Sequence, residues 1–121
     1  KKNLRKYSYY DNNNNLKYLY EYNEKSKTSL QSLYDDNNQL KSVTEFDEKG
    51  NKAKDFFYDK NGNLANYIVY SYDKNGKQIK REDYGSSNIL KKYYIYEYDK
   101  SGNIVKIKTY DSKGKVIDFD D

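Results

Sequence analysis

The side chains able to do chemistry in this chain are carboxylates, lysines and tyrosines. It has 121 residues with no His and no Cys. That removes the commonest general base, the thiol nucleophile and the usual zinc ligands, and with them disulfides, zinc fingers and Ser-His-Asp catalysis. Glycosidase-like acid/base work needs two carboxyl groups facing one bond. The close pairs here, Asp35-Asp36, Asp47-Glu48 and Asp120-Asp121, are chain neighbours, and neighbours in strands or turns point apart. No catalytic residue is assigned and no enzymatic activity is expected. Asp59-Lys60-Asn61-Gly62-Asn63 superficially suggests a calcium loop. An EF-hand, however, puts Gly at position six and a bidentate Glu at position twelve, whereas Gly62 is fourth from Asp59 and position twelve is Tyr70. These words read as turn chemistry, and no metal or other cofactor is expected.

Tyrosine is the remaining candidate. Seventeen Tyr and four Phe stand beside no Trp at all, so most aromatic surface carries a hydroxyl and could stack on sugar rings. Stacking with Lys contacts could also serve single-stranded nucleic acid. Against that, Asp and Glu are dispersed through the same segments, Arg is limited to Arg5 and Arg81, and 23 basic against 19 acidic residues leave only +4. No nucleic-acid partner is expected. No apolar run approaches the roughly 18 residues of a membrane span, so no membrane insertion is expected either. The chain begins Lys1-Lys2 and contains no Met, as a processed or excised segment would.

The elements that must carry these tyrosines follow from composition and period. Hydrophobic residues make up 35%, below the roughly 45–50% of ordinary domains, and mean hydropathy is −1.33. A thin, half-wet sheet fits this better than a thick core. Aromatics recur at Tyr10, Tyr22, Tyr34, Phe46, Tyr58, Tyr72, Tyr84, Tyr98 and Tyr110, at intervals of twelve or fourteen. Each is followed by an acidic or amide residue, or once by Gly85, and then by a polar turn. The clearest turns pair Asp59 with Gly62, Asp73 with Gly76, Asp99 with Gly102 and Asp111 with Gly114. Asp opening a type I turn accepts a bond from the backbone two residues on, and Gly at the fourth position adopts positive φ and makes a bulge. The copies at Asp11 and Asp35 put Asn at the Gly position, the best non-Gly residue there.

The segments between turns contain no Pro and are rich in Tyr, Val, Ile, Thr and Phe, so they read as strands. Ten are expected: Leu4 to Tyr10, Leu16 to Tyr22, Thr28 to Tyr34, Leu40 to Phe46, Lys52 to Tyr58, Leu64 to Tyr72, Gln78 to Tyr84, Ile89 to Tyr98, Ile104 to Tyr110 and Val116 to Phe119. Short turns at both ends of each strand imply an all-β antiparallel meander in an open, elongated thin sheet. The whole of 1–121 is then one array, degenerate over 1–46 and clearer over 47–121. Across each turn, residues six apart should face each other, as Tyr34 with Leu40, Tyr58 with Leu64, Tyr98 with Ile104 and Tyr110 with Val116. Counting by two from the turns puts Tyr18, Tyr20, Tyr70, Tyr94 and Tyr96 on the richer face, which makes them the candidate ligand surface. Leu19, Val43, Val69, Ile95 and Ile107 fall on the other face, among Lys41, Glu45, Arg81 and Glu97.

Phe57-Tyr58-Asp59-Lys60-Asn61-Gly62-Asn63-Leu64, Tyr72-Asp73-Lys74-Asn75-Gly76-Lys77, Leu40-Lys41-Ser42-Val43-Thr44 and Tyr98-Asp99-Lys100-Ser101-Gly102-Asn103-Ile104 resemble the YD repeats of Rhs-type bacterial proteins. The resemblance covers most of Leu40 to Val116. It implies a bacterial, secreted or surface-associated β-repeat segment, of the sort that forms a spiralling shell in large family members. The expected role is a non-enzymatic extracellular structural or adhesive module, with carbohydrate binding through exposed Tyr clusters as the rival. The expected partners are neighbouring repeats or further copies through the edge strands, or glycans or another surface protein. Lys1, Lys2, Arg5 and Lys6 near one end and Asp118, Asp120 and Asp121 near the other would favour head-to-tail edge pairing into a filament or continuous β-ribbon.

Overall fold

The computed structural model describes residues 5–117. These contain no helix. Nine strands form one open antiparallel sheet in sequential order: β1 (Lys6–Tyr10), β2 (Leu16–Asn23), β3 (Thr28–Tyr34), β4 (Leu40–Phe46), β5 (Lys52–Tyr58), β6 (Leu64–Tyr72), β7 (Gln78–Gly85), β8 (Leu90–Tyr98) and β9 (Ile104–Asp111). The expected bounds of β3 to β6 coincide with the observed ones. The tenth strand does not form among the described residues. Its place is taken by a single bridge from Tyr110 to Val116, beside which the Ile117 N–H donates to the Thr109 carbonyl at 2.8 Å. Leu4 and Phe119, and the terminal charges Lys1, Lys2, Asp118, Asp120 and Asp121, lie outside the described residues. Packing divides the chain into two units, one ending at Asn66 and the other beginning at Tyr67. That division falls inside β6.

The turns show why the chain reverses where it does. At Asp59, Oδ1 accepts the N–H groups of Asn61 at 2.9 Å and Asn63 at 3.0 Å, while the Gly62 N–H donates to the Asp59 carbonyl at 3.0 Å. Gly62 has φ 85°, in the left-handed region where a Cβ is penalised. The same network recurs at Asp73, Asp99 and Asp111. Asn14, Asn38 and Asn88 take the glycine position with φ of 64–66°, as the degenerate copies require. The β2–β3 connection departs from the pattern: Asn23 opens a longer turn, Lys27 holds φ 60°, and Tyr22 therefore pairs with Ser29.

A second irregularity was not anticipated. In the β1–β2, β3–β4, β4–β5, β7–β8 and β8–β9 pairs the register shifts beside the aromatic that precedes the turn. Lys17, Lys41, Ala53, Lys91 and Val105 have no opposite number. The aromatics still face the residue six ahead: Tyr10 with Leu16, Tyr34 with Leu40, Phe46 with Lys52, Tyr84 with Leu90 and Tyr98 with Ile104. Beyond that pair each bulge inserts one residue and reverses the alternation of faces. This corrects the face assignment in the second unit. Arg81 lies opposite Tyr94 and Ile107 opposite Tyr96, so both belong to the tyrosine face rather than to the face of Ile95 and Glu97.

Very little is fully buried. Among the described residues the buried positions are Ile68, Ser32 and Asp55. Ser32 sits between Leu19 and Val43 along a cross-strand row, where larger neighbours cover a small side chain. Asp55 is opposite Thr44, whose Oγ1 donates to it at 2.6 Å, and Lys52 Nζ stands 3.5 Å from its other oxygen. A buried carboxylate is tolerable only with such partners.

Candidate functional site

In the first unit the β1–β2 register sets Tyr7 opposite Tyr20 and Tyr9 opposite Tyr18, so four tyrosines share one face. Tyr7 and Tyr9 are 50% and 54% exposed, whereas Tyr18 and Tyr20 are half-buried. The Tyr7 and Tyr18 rings meet edge to face at 6.1 Å. Tyr18 and Tyr20 thus share this face with Tyr7 and Tyr9, which are not among the candidates named from the sequence. The signal was present: Tyr7-Ser8-Tyr9 has the period of two that puts both rings on one side of a strand.

The second unit uses its tyrosines differently. Tyr94 carries Arg81 over its ring at 5.1 Å and Lys92 at 5.6 Å, each a cation–π contact. Arg81 also donates to both carboxylate oxygens of Asp83, Nε at 2.8 Å and Nη2 at 3.3 Å. That hydrogen bond holds the guanidinium above its ordinary range, and Tyr94 and Tyr70 belong to the same charge neighbourhood. Burial pushes the Tyr96 hydroxyl up. On the opposite face Tyr93 stacks on Tyr110 at 4.8 Å and Tyr67 on Tyr84 at 4.9 Å, both nearly parallel. Lys80 lies 5.1 Å over Tyr93. Burial first, and then the adjacent Glu82, pushes the Tyr84 hydroxyl up. Tyr94 of the candidate surface therefore lies under the Arg81 guanidinium, with Tyr70 and Tyr96 in the same charge neighbourhood, a sequence-distant arrangement that no spacing rule displays.

Other candidates sit at strand ends or in turns. Tyr98 at the end of β8 donates to the Gln78 carbonyl at 2.6 Å and lies under Lys77. Tyr58 and Tyr72 end β5 and β6. Backbone hydrogen bonds, chiefly from Asn15, Gln39 and Lys115 respectively, hold the carboxyls of Asp11, Asp35 and Asp111 below their ordinary range. Asp36 points to solvent and pairs with Lys17 at 2.6 Å. Asp35 and Asp36 therefore serve different partners and do not converge on one point. An open depression of about 580 Å³ in the first unit has Leu30 beside Glu21 and Glu45, which the register places on either side of it.

The model of a family described as protein of unknown function (DUF2963) matches residues 33–84, short of half the chain. No curated protein matches. Among solved structures the chain is similar to a mutant TarM of S. aureus crystallised with Fondaparinux, alpha-GlcNAc-glycerol and UDP. The identity is 11% and the TM-score 0.53, covering 73% of this chain and 17% of that one. The likeness is one of fold, and the chain spans less than a fifth of that protein's length.

Proposed function

We propose that this chain is a non-enzymatic structural or adhesive β-repeat module, working outside a bacterial cell and joining neighbouring repeats or further copies through its sheet edges. The observation that carries the reading is β1: all five of its residues are exposed, and no described residue pairs with its outer side. An unpaired edge is a template for another strand. The YD-like words and their resemblance to Rhs-type repeats support the bacterial and surface-associated parts of the reading, since such repeats stack strand on strand. Filament or ribbon growth is its extended form. Light scattering and electron microscopy across concentration and salt test it, with association expected to rise with concentration. A strictly monomeric species at high concentration and low salt would sink it.

Carbohydrate binding is the second reading, and the specific support for it is the Tyr7, Tyr9, Tyr18 and Tyr20 patch, whose outer rings are half exposed. Screening the purified chain on a glycan array is the test. Reproducible binding that Tyr9→Ala abolishes, without loss of fold, would favour a sugar-binding module over a structural one.

A further inference from the structure

The Tyr22 N–H donates to the Arg5 carbonyl at 2.8 Å, and in the β1–β2 register Arg5 is the residue that continues the ladder toward Tyr22. This fixes the direction of every backbone group in β1. The groups of Arg5, Tyr7 and Tyr9 turn toward β2, and those of Lys6, Ser8 and Tyr10 turn away from it. The outer side of β9, by contrast, is already engaged at one end by the chain's own Val116 and Ile117. We propose that β1 pairs antiparallel with β1 of a second copy of this chain, about a two-fold axis through Ser8. The proposal rests on the reading that sheet edges are the working surfaces, and it names the edge, the partner and the register.

The residues choose that register. Centred on Ser8, the two copies of Ser8 form one hydrogen-bonded pair and Lys6 forms one with the second copy's Tyr10 on each side, so every outward-facing residue of the strand is used. Centring on Lys6 would bring two ammonium groups together, and centring on Tyr7, Tyr9 or Tyr10 would leave outward groups of the strand without partners. In the Ser8 register Tyr7 lies opposite the second copy's Tyr9, in the pair type where side chains approach most closely. The tyrosine rows of β1 and β2 then continue across the axis on one face. Arg5 lies opposite the second copy's Asp11, so opposite charges meet at both ends. Arg5 keeps Glu24 at 2.7 Å and Asp11 keeps Lys17 at 3.8 Å, so this charge contact sets register and weakens with salt. A short, charged edge strand normally resists indiscriminate pairing; here the same charges admit one self-complementary alignment.

Two variants of the full chain test this. The native sequence has no Cys, so Ser8→Cys introduces a single thiol. The Cα atoms of a hydrogen-bonded pair lie about 5.5 Å apart, within the span of a disulfide. Mild oxidation is expected to convert Ser8→Cys to a covalent dimer, while a control thiol at an exposed turn, Ser112→Cys, stays largely monomeric. Ser8→Pro removes the outward N–H, which the fold does not use, at a position where an edge strand tolerates Pro. Its circular dichroism should match the parent, and its sedimentation should shift from dimer to monomer. Cross-linking of Ser8→Cys no faster than the control, or unchanged association of Ser8→Pro, overturns the β1 pairing. If the chain still associates in that case, the wider edge-joining reading survives with its contact elsewhere. A parent chain that sediments as a monomer at every concentration removes both.

Discussion

The two units apply one repeat to different ends. In the first, the hairpin turns at Asp11 and Asp35 place Asn in the left-handed position and those at Asp47 and Asp59 place Gly there, while Tyr7 and Tyr9 stand half exposed with an edge-to-face contact at Tyr18. In the second, the turns at Asp73, Asp99 and Asp111 place Gly there and the turn opening at Gly85 places Asn88 there. There Tyr67 with Tyr84 and Tyr93 with Tyr110 stack in parallel pairs, and Tyr93 and Tyr94 lie under Lys80, Arg81 and Lys92. Residue type and spacing are alike in both. Partners across the strand decide whether an aromatic ring holds the sheet together or remains available. The second unit binds rings to its own cations, and the first leaves a tyrosine surface beside a strand whose outer side pairs with no described residue.

The largest effect should separate the turns. Gly76 has φ 87°, and a Cβ built there meets nothing within 4 Å. The cost of Gly76→Val is therefore backbone strain alone, because a β-branched residue resists positive φ. It should exceed about 1 kcal/mol, as substitutions incompatible with the native backbone do. Asn14→Gly in the first unit removes a smaller strain and should leave stability within about 0.5 kcal/mol of the parent. Urea denaturation measures both, and equal losses at the two positions would erase the distinction between the turn types.

The next comparison concerns the rings. Tyr93 and Tyr110 stack at 4.8 Å, and a double-mutant cycle to Ala should give a coupling of about 0.5–1.5 kcal/mol. The Tyr7–Tyr18 pair, with one ring half in solvent, should give less than about 0.5 kcal/mol. A larger coupling at Tyr7–Tyr18 would mean that the exposed patch is structural after all, and would weaken its claim to a ligand.

How much of this was legible depends on the range of the signal. The turns are local: Asp59 and Gly62 are three residues apart, and their hydrogen bonds close within that span, so strand bounds from Thr28 to Tyr72 follow from turn chemistry. The pairing of Tyr34 with Leu40 or Tyr98 with Ile104 follows from the same span. The bulges at Lys17, Lys41 and Lys91 were not legible, because nothing in a Leu-Lys word announces that Lys has no partner across the strand. Counting by two through the bulges at Lys91 and Val105 inverted Arg81 and Ile107, and so hid the Arg81–Tyr94 contact. Asp55 was hidden for another reason. Its burial depends on Thr44 across the strand and on Lys52, and a charged residue in a strand of a hydrophilic chain reads as exposed.

The smallest effect is electrostatic and tests whether the turns of the two units are held in the same way. Asp11 and Asp35 in the first unit and Asp111 in the second all accept backbone N–H groups, which holds their carboxyls below the ordinary value of 3.8. A carboxyl that is more acidic in the folded state than in the unfolded chain stabilises the fold above the unfolded pKa, near 3.9, and that contribution fades as pH falls through the folded value. Stability should therefore be flat in this respect from neutral pH down to about 4 and decline below it. Asp111→Asn keeps an oxygen to accept the N–H groups of Lys113 and Lys115 but cannot titrate, so it should flatten part of the acid decline while costing little at pH 7. Asp11→Asn should do the same in the first unit. Denaturation midpoints between pH 2 and 7 decide the matter: an acid decline left unchanged by both substitutions would show that the turn carboxylates do not contribute to it, and a response at Asp111 alone would confine the charged turn lock to the second unit.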